Sequence, residues 1–185
     1  MTRIRQLTIT FILIWILAKL GVMFSGNAVS AFGFMVLLNL LFILLIQFFF
    51  LHFKYKEIDK LESNFLNDPV GTMRAAANYI IVIVVFSVAY YTLIDPSFDA
   101  FRVNEAAEFA QEQVNDPEYF EELKRRNPTI PPETTADEYV ENARQQAMWF
   151  AKWHIRAGGS LLVLVLMSAF NSVFVTLLFR KVMLK

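Results

Sequence analysis

Four long apolar runs, at residues 7–24, 32–53, 75–94 and 160–179, dominate this chain. Each has about the 20 residues that a helix needs to cross a hydrocarbon layer roughly 30 Å thick. Backbone N–H and C=O groups in lipid have no water to bond, so each run must close its hydrogen bonds internally as a helix. Four runs of this length are too few and too long for a barrel. The pattern predicts an all-α polytopic membrane protein with four transmembrane helices.

The composition agrees: 56% of residues are hydrophobic and 19 are Phe, above the roughly 45–50% apolar share of soluble domains. There is no Cys, which excludes a disulfide framework, a thiolate metal site and a cysteine nucleophile together. Cysteine usage therefore carries no information about redox compartment.

The formal net charge of zero hides a segregation along the chain. Basic residues collect at the N-terminus (Arg3, Arg5), between the second and third runs (Lys54, Lys56, Lys60, Arg74) and at the C-terminus (Arg180, Lys181, Lys185). An even number of crossings separates these segments, so they share a side, and basic residues are retained in the cytoplasm. The connection at 25–31 is uncharged, whereas 95–158 carries thirteen acidic against seven basic residues. The expected topology has both termini cytoplasmic and 95–158 outside. A cleaved signal peptide is the competing reading of the first run, but that run exceeds the usual 7–15-residue apolar core and lacks an A-x-A site.

The expected organisation is thus 1–94 (helices one to three), 95–158 (an acidic, helical extracytoplasmic insertion) and 159–185 (helix four and a basic tail). In the insertion, Pro96-Ser97 opens an amphipathic helix through Phe98, Phe101, Ala106 and Phe109. Asp116-Pro117 opens a second helix, with Lys124-Arg125-Arg126 at its end. Pro128, Pro131 and Pro132 force an extended turn. Thr135 and Glu138 then form a capping box for a helix read through Ala157, with Gly158-Gly159 separating it from the fourth crossing. Trp149, Lys152, Trp153 and Arg156 suit the headgroup belt. A segment this small leans on the membrane surface, the helix ends or a partner protein. Its acidity argues against anionic lipid and selects Glu108, Glu112, Glu118 and Glu122 as candidate docking residues.

Polar residues within the runs are costly and therefore informative. Lys19 lies about 7.5 Å from the end of the first run. It can snorkel, pair with Asn39 at similar depth, or bind a lipid phosphate or substrate anion. Gln47, Asn78 and Asn171 fall at comparable depths from the cytoplasmic ends, as structural amide contacts or as the lining of a polar pocket. Ser168, Ser172 and Thr176 form a small-residue stripe at intervals of four, suited to helix packing within or between chains.

No catalytic motif is present: no His-Glu-x-x-His, no Gly-x-Ser-x-Gly, no phosphate-binding glycine loop. Nothing in the sequence points to an enzyme, to a cofactor or metal site, or to nucleic acid. Glu118, Glu121 and Glu122 are solvated carboxylates rather than a calcium site. The stretch Tyr90-Tyr91-Thr92-Leu93-Ile94-Asp95-Pro96-Ser97-Phe98, the acidic helical loop and the fourth run ending Phe179-Arg180-Lys181 together resemble an uncharacterised family of four-helix bacterial inner-membrane proteins, a domain of unknown function. The resemblance implies a bacterial cytoplasmic membrane and a periplasmic loop; it brings no catalytic residue. The resulting expectation is a non-enzymatic subunit held in the bilayer, with a membrane or periplasmic protein, or a second copy, as partner. A small-solute or lipid transport component acting as a homo-oligomer is the alternative.

Overall fold

The computed structural model describes residues 2–26, 31–57 and 67–183. Lys60, Lys185 and part of the connection at 25–31 lie outside them. The described residues are helical and contain no strand. Helices α1 (Thr2–Phe24), α2 (Phe32–Glu57) and α3 (Asn67–Ala89) are followed by a π-helical segment, Tyr90–Ile94. Then come α4 (Ser97–Val114), α5 (Pro117–Arg126), α6 (Ala136–Ala151) and α7 (Trp153–Met183). Four helical stretches are long and apolar enough to cross a membrane: α1, α2, α3 with its π extension, and α7.

The chain divides into two units. The first comprises Met1–Ser87 and Ala157–Lys185. Within it α1 and α2 run antiparallel: Phe11 stacks on Phe42 at 4.7 Å and the Trp15 indole donates to the Met35 carbonyl at 3.4 Å. Phe42 in turn meets Tyr79 of α3 edge-on at 6.2 Å. Ile43, Ile46, Ala76, Tyr79 and Ile83 form the dry centre. α7 lies along α2 in the same direction, with Phe179 packed on Phe48 and Tyr55. Large apolar side chains such as Leu17, Leu37, Val85 and Phe170 stay exposed, as expected of a surface whose solvent is hydrocarbon.

The second unit, Val88–Arg156, is built on α4 packed against α6. α4 turns Ala107, Ala110 and Val114 inward; Phe120 of α5 closes on Tyr139 at 5.4 Å. Its caps are those read from the sequence. Asp116 Oδ1 accepts from the Glu118 and Tyr119 amides, and the Thr135–Glu138 capping box is complete. The turn at 127–134 is irregular, held by the Ile130 amide on Asn127 O and the Thr134 amide on Pro131 O.

Two boundaries differ from expectation. α3 starts at Asn67, not Ala75, because Asp68 and Pro69 suit a first helical turn. The break before the fourth span falls at Lys152 (φ −57, ψ 132), and Gly158-Gly159 lie inside α7. A Cβ at either glycine would meet nothing within 4 Å, so neither serves a close approach. Glycines stay helical in a span because lipid offers the backbone no other partner.

Candidate functional site

The first unit buries a set of polar side chains that a lipid-facing bundle must satisfy internally. The strongest is at Asp68, which is 0% exposed. Lys54 Nζ lies 2.6 Å from its Oδ1, the Tyr55 hydroxyl donates to Oδ2 at 2.5 Å, and Arg180 approaches Oδ2 at 3.4 Å. One carboxylate at the start of α3 thus joins the basic ends of α2 and α7. In the sequence Lys54 and Arg180 read as topology signals, and nothing there singles out Asp68, which precedes the apolar run, beyond Asn67-Asp68-Pro69, an acid and a proline suited to a helix start.

Farther along α2, the Gln47 amide nitrogen donates to both the carbonyl (2.9 Å) and the hydroxyl (2.8 Å) of Ser168. Ser168, Ser172 and Thr176 are all buried, so the small-residue stripe faces the interior of its own chain. The three amides do not form one layer. Asn78 is exposed and Asn171 only half-buried, because α3 turns Ala76, Tyr79, Ile80 and Ile83 inward and its neighbour at 78 must point out. Asn39 Oδ1 accepts from the Tyr79 hydroxyl at 2.8 Å. Lys19 is 2% exposed: its side chain lies inside the bundle rather than along the surface.

In the second unit the carboxylates divide by helix. Glu105 pairs with Arg102 and Glu121 with Lys124, while Glu122 pairs with Arg126 at 2.5 Å. Glu118 is exposed in the first turn of α5. Glu108 and Glu112 are exposed and, among the described residues, meet no cation. With Phe101 they share one face of α4, flanked by Phe109, at positions four, seven and eleven residues apart. That face lies opposite Ala107, Ala110 and Val114. Phe101 and Phe109 stand 45% and 62% exposed on it.

At the start of this unit, Asp95 accepts from Ser97 Oγ (2.6 Å) and the Tyr90 hydroxyl (3.3 Å). The Arg156 guanidinium lies 4.8 Å over the Tyr91 ring and pairs with Asp99. These contacts fix the Ile94-Asp95-Pro96-x-Phe98 stretch and leave its polar groups occupied. Tyr139 donates to Gln113 Oε1 at 2.8 Å; burial, with a smaller contribution from Tyr119, pushes its phenol above the usual range. Among the described residues no group of three or more His, Cys, Asp or Glu side chains is placed to hold a metal ion. Comparison with family models, with curated proteins and with solved structures gives no match.

Proposed function

We propose that this chain is a non-enzymatic integral membrane subunit, anchored by four helices, whose acidic second unit docks a partner protein outside the cytoplasm of a bacterial cell. The observation that carries this reading is the outward face of α4. Two exposed phenylalanines beside uncompensated carboxylates cost solubility without contributing to the chain's own packing. Aromatic side chains at such a surface are typical anchors of an interface. The carboxylates favour a basic partner over an anionic bilayer.

The orientation rests on the charges. The ends of α2 and α7 carry Lys54, Lys56, Arg180 and Lys181, and the second unit is acidic, which together support a cytoplasmic placement of the termini. The resemblance carried by residues 90–98 supports the bacterial inner membrane. A transport role draws on one different observation, the buried Lys19 and Gln47 within spans.

The test is charge reversal. Glu108→Lys with Glu112→Lys is expected to release a stoichiometric copurifying protein from mildly solubilised membranes, with the helical circular dichroism unchanged. Undiminished copurification would remove the α4 face from the interface. A homogeneous homo-oligomer with no second protein would favour transport.

A further inference from the structure

Among the described residues of the first unit two buried oxygens have no hydrogen-bond partner, Gln47 Oε1 and Thr176 Oγ1. Both side chains are 0% exposed. The Gln47 amide cannot relieve its oxygen by turning over. Its nitrogen faces the Ser168 carbonyl, which only accepts, so the oxygen must point away. Thr176 is equally distinctive. Threonine and serine in helices commonly return the hydroxyl to a carbonyl one turn back. Thr72 does so onto Pro69 O and Ser172 onto Ala169 O; Thr176 does not.

Ser168, Ser172 and Thr176 line the buried face of α7, and Gln47 meets the first of them from α2. From Ser168 to Thr176 is about 12 Å of helix. The stripe ends one turn before Arg180, where Arg180, Lys54 and Tyr55 surround Asp68. In a span, neither bulk water nor lipid satisfies such atoms. An orphaned acceptor carries its full desolvation cost.

We propose that the α2–α7 seam is a water-binding site within the membrane span, in which water admitted from the Asp68 end donates to Gln47 Oε1 and Thr176 Oγ1. The occupant follows from the atoms. Both oxygens require a hydrogen donor, and the hydroxyls of Ser168 and Ser172 supply the additional polar contacts that a buried water needs. Both oxygens are closed off in this packing, so water enters as α2 and α7 part slightly along the small-residue stripe. The site is independent of the docking reading and gives the Asp68 cluster a hydrated path into the bundle.

The experiment uses the full chain in phosphatidylcholine nanodiscs. Water-edited solid-state NMR is expected to show magnetisation passing from water to Gln47 and Thr176 clearly faster than to Ile43 and Ile46, which are buried on the same helix as Gln47. Equal, slow transfer to all four would overturn the proposal. Thr176→Val keeps the volume and removes the hydroxyl. In a hydrated seam it lowers the unfolding midpoint, because the water loses a partner; a higher midpoint would mean a dry, orphaned oxygen and would overturn the proposal. Sodium chloride in place of choline chloride is expected to leave the wild-type midpoint unchanged. A rise seen in wild type and lost in Thr176→Val would make the occupant a cation instead. If the variant does not fold, the transfer measured on wild type decides.

Discussion

Removing the Asp68 carboxylate is expected to loosen three helices at once. Asp68→Ala deletes the contacts to Lys54 (2.6 Å), Tyr55 (2.5 Å) and Arg180 (3.4 Å). Hydrogen bonds to a charged group are worth about 1.5–3 kcal/mol each, and breaking a fully buried ion pair costs about 3–5 kcal/mol. Here the acid is fully buried, but the Lys54 and Arg180 side chains are 23% and 29% exposed. Both cations can recover part of their hydration, so the loss lies below the buried-pair range, at about 2–3 kcal/mol. That is a fall of roughly 30- to 150-fold in the folding equilibrium constant at 1.4 kcal/mol per tenfold. Equilibrium unfolding in mixed micelles would read it. A double-mutant cycle with Lys54→Met isolates the pair, since in the Asp68→Ala background Lys54→Met should cost almost nothing. A loss under about 0.5 kcal/mol, within the range of a surface substitution, or strict additivity in the cycle, would refute the idea that Asp68 joins α2, α3 and α7.

Three other outcomes are expected. Tyr79→Phe removes the donor to Asn39 Oδ1 and should cost about 0.6–1.5 kcal/mol, the range between measured intramembrane hydrogen bonds and buried bonds in water-soluble cores, by the same unfolding assay. Gly71→Val should cost about 1 kcal/mol, the low end for overpacking, because a Cβ at 71 would sit 2.8 Å from the Phe50 ring, whose far edge can swing aside; the same change in a Phe50→Ala background should cost clearly less. Tyr139 has a folded pKa raised above its unfolded value, chiefly by burial, so the folded state holds its proton more tightly. Its contribution is complete below the unfolded pKa of about 10 and is lost as pH rises through the folded value. The thermal midpoint of wild type should therefore fall more steeply above pH 10 than that of Tyr139→Phe, and parallel curves would contradict this.

The spans were legible because hydrocarbon imposes length and apolarity on any crossing helix. The caps at Asp116 and Thr135 were legible because capping is local chemistry between residues three apart. Rotation about each helix axis was not. α2 and α7 are apolar on nearly every side, so periodicity does not say which face turns in. Depth counting put Gln47, Asn78 and Asn171 at one level, yet packing around Tyr79 sends Asn78 outward. Asp68 was missed for a related reason: hydropathy marks where lipid begins, whereas the α3 helix extends a further two turns toward the basic ends of its neighbours. The carboxylates proposed for docking stand out in the sequence only as net charge; the helix faces separate Glu108 and Glu112 from Glu122, which Arg126 already occupies.

The proposed topology, four spans with the acidic second unit outside the cytoplasm, can be read directly by labelling. The chain contains no Cys, so single cysteines report position without background. Thr129→Cys, exposed in the second unit, and Lys56→Cys, exposed near the end of α2, would be treated in intact spheroplasts with a membrane-impermeant maleimide. Labelling at 129 and protection at 56 until the membrane is opened is the predicted result. Labelling at 56 with protection at 129 would invert the proposed topology and remove the proposed docking surface from the periplasm.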